Sequence, residues 1–187
     1  MTPCLRGGNL AQSFDGIVPE CWALTKGQQR VSKPGRFVKR LPFELGIGDT
    51  QLEGYLQSYN YFDPKLCETL RFNTSVLATA VGGLTPFASR TTVGVNVWRG
   101  DIAAVGHSYF IHLPPITYFS NVLSFFSSKY AHVQFVVVSD DPTWCLTQSL
   151  FAANNVCVVT VKHHPVVDME ILEGCEHMVL TIGTFGW

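Results

Sequence analysis

Charge is scarce in this chain. Asp, Glu, Lys and Arg make up 14% of its 187 residues, thirteen basic against fourteen acidic, for a net charge of −1. No long basic run exists; the densest, Arg36 to Arg40 with Lys39 between, reads as a solvated loop. A protein that grips a phosphate backbone carries more positive charge, so nucleic acid is not the expected partner. Long apolar runs are missing too. Val76 to Ala88 is interrupted by Gly82, Gly83 and Pro86, well short of the ~20 residues a membrane-crossing helix needs. The opening MTPCLRGG lacks the apolar core of a signal peptide, so neither anchor nor leader is expected in this sequence. The six cysteines (4, 21, 67, 145, 157 and 175) form no CxxC pair, which argues against zinc, while their even number permits disulfides. GxGxxG and P-loop signatures are absent, which weighs against an ordinary Rossmann-type nucleotide enzyme. There is no internal repeat and no low-complexity segment.

What is present is apolar: 47% of the residues are hydrophobic, enough to fill the core of one domain, or of one domain plus a cap. Residues 1–90 are the less regular region. Leu52, Tyr55, Leu56, Tyr59 and Phe62 share one side of a helix expected over 52–62, which Pro64 closes. A second helix is expected over 65–82, with Leu66, Leu70, Val76, Leu77 and Ala80 as its apolar positions. Asn73-Thr74-Ser75 is a glycosylation sequon, with Asn73 the acceptor.

From 91 onward strands and helices alternate. Val93, Val95 and Val97 lie on one face of a strand over 93–98, and Gly94, Asn96 and Trp98 on the other. A helix carries Ile116, Phe119, Leu123, Phe126 and Tyr130. VQFVVV (133–138) is a strand buried on both faces. A helix then runs to about Ala153, with Asp140 or Asp141 as its cap and Pro142 in its first turn. A strand over 156–161, a short helix over 168–175 and a strand over 178–182 complete the series. Four alternations predict an α/β fold, a doubly wound parallel Rossmann-like sheet. The expected division is a partial N-terminal region, 1–90, and a Rossmann-like domain, 91–187.

In such sheets ligands bind beyond the carboxyl ends of the strands. Three of those ends carry polar groups: Arg99-Gly100-Asp101, Ser139-Asp140-Asp141 and Gly183-Thr184-Phe185-Gly186. An arginine fork holds a phosphate by two bonds, and glycines let backbone amides approach it. The group reads as a phosphate pocket, with a sugar nucleotide as the fitting ligand, although other phosphates satisfy the same spacing. Taken singly, Arg99–Asp101 is also an ordinary turn ion pair. Arg-Gly-Asp is also an adhesion tripeptide, but one that abuts an apolar strand here. His107/His112 and His163-His164 are metal-ligand types without a third partner at a persuasive spacing.

VGVNVWRGD (93–101) resembles the Val-Gly-Val and His-x-Arg-Arg-Gly-Asp motif of glycosyltransferase family 11, the α-1,2-fucosyltransferases. FVVVSDDPTWC (135–145) and TIGTFGW (181–187) resemble its second and third motifs, and LEGYLQSYNYF (52–62) the helix that precedes them. The resemblance covers roughly 50–187 and implies a GT-B-like architecture, with acceptor-side residues before 91 and a GDP-fucose-binding half after it. It implies an inverting transfer of fucose from GDP-fucose to a galactose hydroxyl of a glycan. It also implies that no metal or other cofactor is required and that the location is the Golgi membrane or lumen. The donor-binding residues it implies are Arg99, Gly100, Ser139, Asp140, Gly183, Thr184, Phe185 and Gly186. The catalytic pair is Arg99 and Asp101, the latter orienting Arg99 or acting as base. Orientation is favoured, because a carboxylate beside an arginine is a weak base. Asn96 stands where the family has histidine and Trp98 where it has its first arginine. The glycine-rich opening loop has only a faint echo in RGGNLAQ (6–12), and the chain stops at the third motif. These departures imply a truncated or divergent member. Its second reading is a weakened or inactive protein that binds nucleotide or glycan.

Overall fold

A computed structural model describes residues 29–32, 50–53, 71–100, 103 and 112–181. The chain divides into two compact units, residues 1–71 and 72–187. In the first, β1 (Gln29–Ser32) and β2 (Thr50–Glu53) pair in parallel. Leu52 and Glu53, expected to open a helix, lie in this strand pair. Residues 54–62 lie outside the described residues.

The second unit follows the order α1 (Thr74–Leu84), β3 (Thr91–Val97), α2 (Ile116–Lys129), β4 (Val133–Ser139), α3 (Pro142–Thr147), β5 (Val156–Val158), α4 (Pro165–Glu173) and β6 (His177–Val179). It is an α/β fold built on a parallel four-stranded sheet in the order β5-β4-β3-β6. Numbered within the sheet, that is 3-2-1-4, consistent with the opening of the Rossmann order 3-2-1-4-5-6. The chain reverses its direction of travel after β5, so the topological switch point falls between β3 and β6. Parallel α/β sheets bind ligands outside the carboxyl ends of the strands at such a point.

The two faces of β3 account for the layers. Val93, Val95 and Val97 cluster with Val133, Phe135 and Val137 of β4, Phe119 and Leu123 of α2, Cys145 of α3, and Phe151. Phe119 meets Phe151 edge to face at 5.7 Å between ring centroids. Each fully buried side chain of this size contributes about 1.5–3 kcal/mol. Gly94 faces the other way, where α4 lies so close that a Cβ would stand 3.0 Å from Leu172 Cδ2 and 3.3 Å from Cys175 Sγ. This second face is closed by Val166, Val167, Ile171 and Leu172 of α4. Helix α1 packs on α4 in turn, and its Val76 and Ala80 are buried.

Several boundaries differ from the sequence expectation for local reasons. Helix α1 starts at Thr74 because the Asn73 side chain accepts the Val76 N–H at 3.0 Å and so caps it; residues 65–70 lie outside the described residues. The helix expected to reach Ala153 stops at Thr147. Gln148 is extended, and a 3-10 turn over Ser149–Ala152 follows. Helix α4 begins at Pro165 rather than 168, with His164 as its cap and proline in the first turn, where its missing N–H costs nothing. Strands β5 and β6, at the two edges, are shorter than expected. Cys145, Cys157 and Cys175 are free thiols.

Candidate functional site

Strands β3 and β6 are stitched together at their carboxyl ends. The Trp98 N–H donates to Thr181 Oγ1 at 3.2 Å. Beyond Trp98 the chain turns. The Asp140 carboxylate accepts the next two amides, Arg99 N–H at 2.8 Å on Oδ1 and Gly100 N–H at 2.7 Å on Oδ2. The Ala103 N–H donates to the Arg99 carbonyl at 2.5 Å. Asp140 therefore holds two successive backbone amides by charge-assisted hydrogen bonds. A Cβ at position 100 would run into the Asp140 carboxylate, which would have to shift to admit it.

The end of β4 is braced in the same manner. Ser139 Oγ donates to the Val97 carbonyl at 2.7 Å and accepts the Asp141 N–H at 3.0 Å. Asp141 Oδ1 accepts the Trp144 N–H at 3.0 Å, capping α3 as the sequence indicates for one of the two aspartates. Arg99 folds over this cap. Its Cζ lies 3.7 Å from the Trp144 ring centroid, and its Nε, 3.7 Å from Asp141 Oδ2, is buried without a hydrogen bond. The guanidinium is thus held by a cation–π contact and a long ion pair, interactions that fix its place without using its Nε hydrogen.

Next to this turn, on the α4 face of the sheet, lies a cleft of about 380 Å3. Asn96, Trp98, Val138, Ser139 and Asp140 line it from β3 and β4, Val159 to His163 from the loop after β5, and Pro165 and Asp168 from α4. Asn96 is only 1% exposed, yet neither its Oδ1 nor its Nδ2 has a hydrogen-bond partner. His163 Nδ1 stands 3.5 Å from Asp168 Oδ1, and burial pushes the Asp168 carboxyl above its ordinary value while His163 pulls it back. His164 Nδ1 accepts the Val166 N–H at 3.4 Å at the start of α4. His164 is thereby engaged in local structure, whereas His163 Nδ1 is buried without a hydrogen bond, and among the described residues no three His, Cys, Asp or Glu side chains gather as a metal-binding group.

Of the residues singled out from sequence, Arg99, Gly100, Ser139 and Asp140 come together at one edge. Asp101, Gly183, Thr184, Phe185 and Gly186 lie outside the described residues. Ser139 and Asp140 line the cleft, whereas Arg99 is turned toward Trp144. Asn73, the sequon asparagine, also receives the Ser75 hydroxyl on its Oδ1 at 2.8 Å. Sequence reasoning missed Asp141 and Trp144 as the holders of Arg99, and gave Asn96 no function of its own. The available signal was a polar residue at an inward position of a buried strand.

Comparison with known proteins identifies the family. The sequence profile of glycosyl transferase family 11 matches residues 52–187. Galactoside alpha-(1,2)-fucosyltransferase 2 of Rattus norvegicus is 31% identical over 124 residues, 63% of this chain and 30% of the rat protein. Galactoside 2-alpha-L-fucosyltransferase Sec1 of Mus musculus is 32% identical over 124 residues, 63% of this chain and 29% of the mouse protein. Galactoside alpha-(1,2)-fucosyltransferase 2 of Sus scrofa is 30% identical over 160 residues, 73% of this chain and 43% of the pig protein. The chain thus spans less than half the length of these curated relatives. No solved structure gives a significant match.

Proposed function

The chain belongs to glycosyl transferase family 11, and from that footing we propose that it acts in fucosyl transfer, from GDP-fucose to a galactose hydroxyl of a glycan, with inversion and without a metal. The observation that carries this reading is the stitching of β3 to β6. It sets the Arg99-Gly100 turn beside the segment leading into residues 183–186, at the switch point of a parallel sheet. In the proposed reaction the acceptor oxygen attacks the anomeric carbon of fucose. The bond from that carbon to the β-phosphate oxygen breaks with its electron pair, GDP departs, and the acceptor's proton passes to a base. Arg99 is the group suited to the charge that builds on the departing diphosphate. Trp144 and Asp141 hold it in place, so little reorganisation remains when the charge develops. Asp101 and the 183–186 turn are proposed as its companions on the phosphates. The second unit serves as the donor-binding half of a GT-B-like protein, the region before it as part of the acceptor side, and the Golgi membrane or lumen as the place of action. Among the described residues no helix is long and apolar enough to cross a membrane.

One observation favours the second reading, a binding protein with weak or no turnover. The amides of Arg99 and Gly100, natural donors to a phosphate, are already taken by Asp140. Incubating the chain with GDP-fucose and a β-galactoside in the presence of EDTA tests both. The expected outcome is GDP release with an α-1,2-fucosylated product seen by mass spectrometry. GDP binding without product would leave the binding protein, and neither binding nor product would overturn both readings.

A further inference from the structure

The starts of three strands meet at the amino edge of the sheet, the edge opposite the Arg99 turn. The Thr91 N–H, opening β3, donates to the His132 carbonyl at 2.9 Å, and the Phe135 N–H of β4 donates to the Asn155 carbonyl at 2.8 Å. These bonds bring Arg90, His132 and Asn155 side by side, one just ahead of each of β3, β4 and β5. With Ser127 and Tyr130 from the end of α2 they line an open groove of about 310 Å3. The length of β3, about 20 Å, separates this groove from the Arg99 turn.

A buried glutamine braces the arginine. Gln134 is 2% exposed and is the polar residue in the otherwise apolar run VQFVVV. Its Oε1 accepts Arg90 Nη1 at 2.7 Å, and its Nε2 donates to the Phe135 carbonyl at 3.3 Å. A buried amide is costly unless paired, and here the pairing fixes a guanidinium at the rim of the groove. The rest of the Arg90 fork is left over, and among the described residues no carboxylate pairs with it. The His132 imidazole, the Asn155 amide and the Ser127 hydroxyl also have no hydrogen-bond partner among the described residues. Lys129 adds a second cation, its Nζ 5.3 Å from the Tyr130 ring centroid, and no Asp or Glu lines the groove. The carboxyl end of α2 offsets only about half a charge, so the groove stays positive and rich in donors. An anion with several acceptor oxygens complements such a set, and an arginine fork meets a sulfate, phosphate or carboxylate by two parallel bonds.

We propose that this groove is an oxyanion site, a second binding site that seats a sulfate, phosphate or carboxylate group, free or borne on a sugar. It lies on the amino edge of the sheet and does not depend on the donor reading above. The test, in chloride buffer without nucleotide, titrates inorganic sulfate, galactose 6-sulfate and galactose into the 15N-labelled chain. The Asn155 side-chain amide is followed by NMR, its signal assigned by its loss in Asn155→Asp. The expected result is a saturable shift with the sulfated sugar or inorganic sulfate and none with galactose. Arg90→Gln should weaken the binding about tenfold or more, and His132→Ala, at an exposed position, should weaken it as well. Tighter binding of galactose 6-sulfate than of inorganic sulfate would put the anion on a glycan, and equal binding would make it a free ion; both support the site. An amide unmoved by either anion, an equal shift with galactose, or undiminished binding in both variants overturns it. The wild-type spectra decide the matter even if Arg90→Gln, which takes from Gln134 its partner, does not fold.

Discussion

The guanidinium of Arg99 stands over Trp144, its Cζ 3.7 Å from the ring centroid. The charge suited to a phosphate is thus aimed by an aromatic surface contributed by the strand–helix unit that follows, not by its own turn. Arg99→Ala is expected to remove most of the rise in melting temperature that GDP produces, a loss of about 2 kcal/mol or more of binding. Trp144→Leu keeps the charge but frees it, and should weaken GDP by about 0.5–2 kcal/mol. Thermal-shift titrations check both, and equal GDP affinity in Arg99→Ala would make the arginine structural.

Asp140 and Gly100 are predicted to behave as one unit. Asp140→Ala removes two charge-assisted hydrogen bonds and should cost about 1–3 kcal/mol in urea unfolding. Gly100→Ala drives a Cβ into the same carboxylate and should also destabilise. Because the clash partner is gone in the double variant, its loss should be clearly smaller than the two single losses added. Strict additivity would show that Gly100 is needed for its backbone alone.

Gly94 is predicted to be intolerant of side chains for a different reason. A Cβ there meets Leu172 and Cys175 of a packed layer, not a loose carboxylate end. Gly94→Ala should cost about 1–3 kcal/mol, with Leu172→Ala relieving part of it in combination. A neutral Gly94→Ala in denaturant unfolding would mean that α4 moves freely over the sheet.

Two half-buried acids contribute to the pH dependence. Burial raises the Asp168 carboxyl from its ordinary 3.8, against the pull of His163. The native state therefore holds a proton that the unfolded chain has released, and this group's contribution to stability falls as pH rises through the window above 3.8. Asp168→Asn should flatten that part of the stability–pH curve. Burial also pushes the Cys175 thiol from 9.0 to about 11, so a further loss is expected as pH climbs between those values. Near pH 9.0 Cys175 should resist alkylation in the native protein and react once it unfolds, and rapid native labelling would contradict its burial.

The central strands and α2 were legible because their signals are intrinsic. Val93, Val95 and Val97 alternate, VQFVVV is apolar throughout, and Phe119 and Leu123 recur at helical spacing. The edges were not. β5 pairs with one neighbour and ends at Val158, although Val159 and Val161 prolong its pattern, because the following loop turns aside to wall the cleft. Asn73 caps a helix while also heading a sequon, and the second meaning hid the first. Of the site, the clustering of strand-end groups was readable from alternation alone. Their orientation was not: Arg99 toward Trp144 and Asp140 onto the amides depend on contacts across about 40 residues of sequence.

The bond between Trp98 and Thr181 joins positions 83 residues apart. The β3–β4 pair closes a shorter loop and is expected to form before β6 docks. The segment from β6 onward is then the last to arrive, and the switch point exists only once it has. A chain caught in refolding would show the β3–β4 core protected from hydrogen exchange while the ends of β3 and β6 still exchange freely. The capacity to hold a ligand becomes a reporter of the final folding step, not of the core.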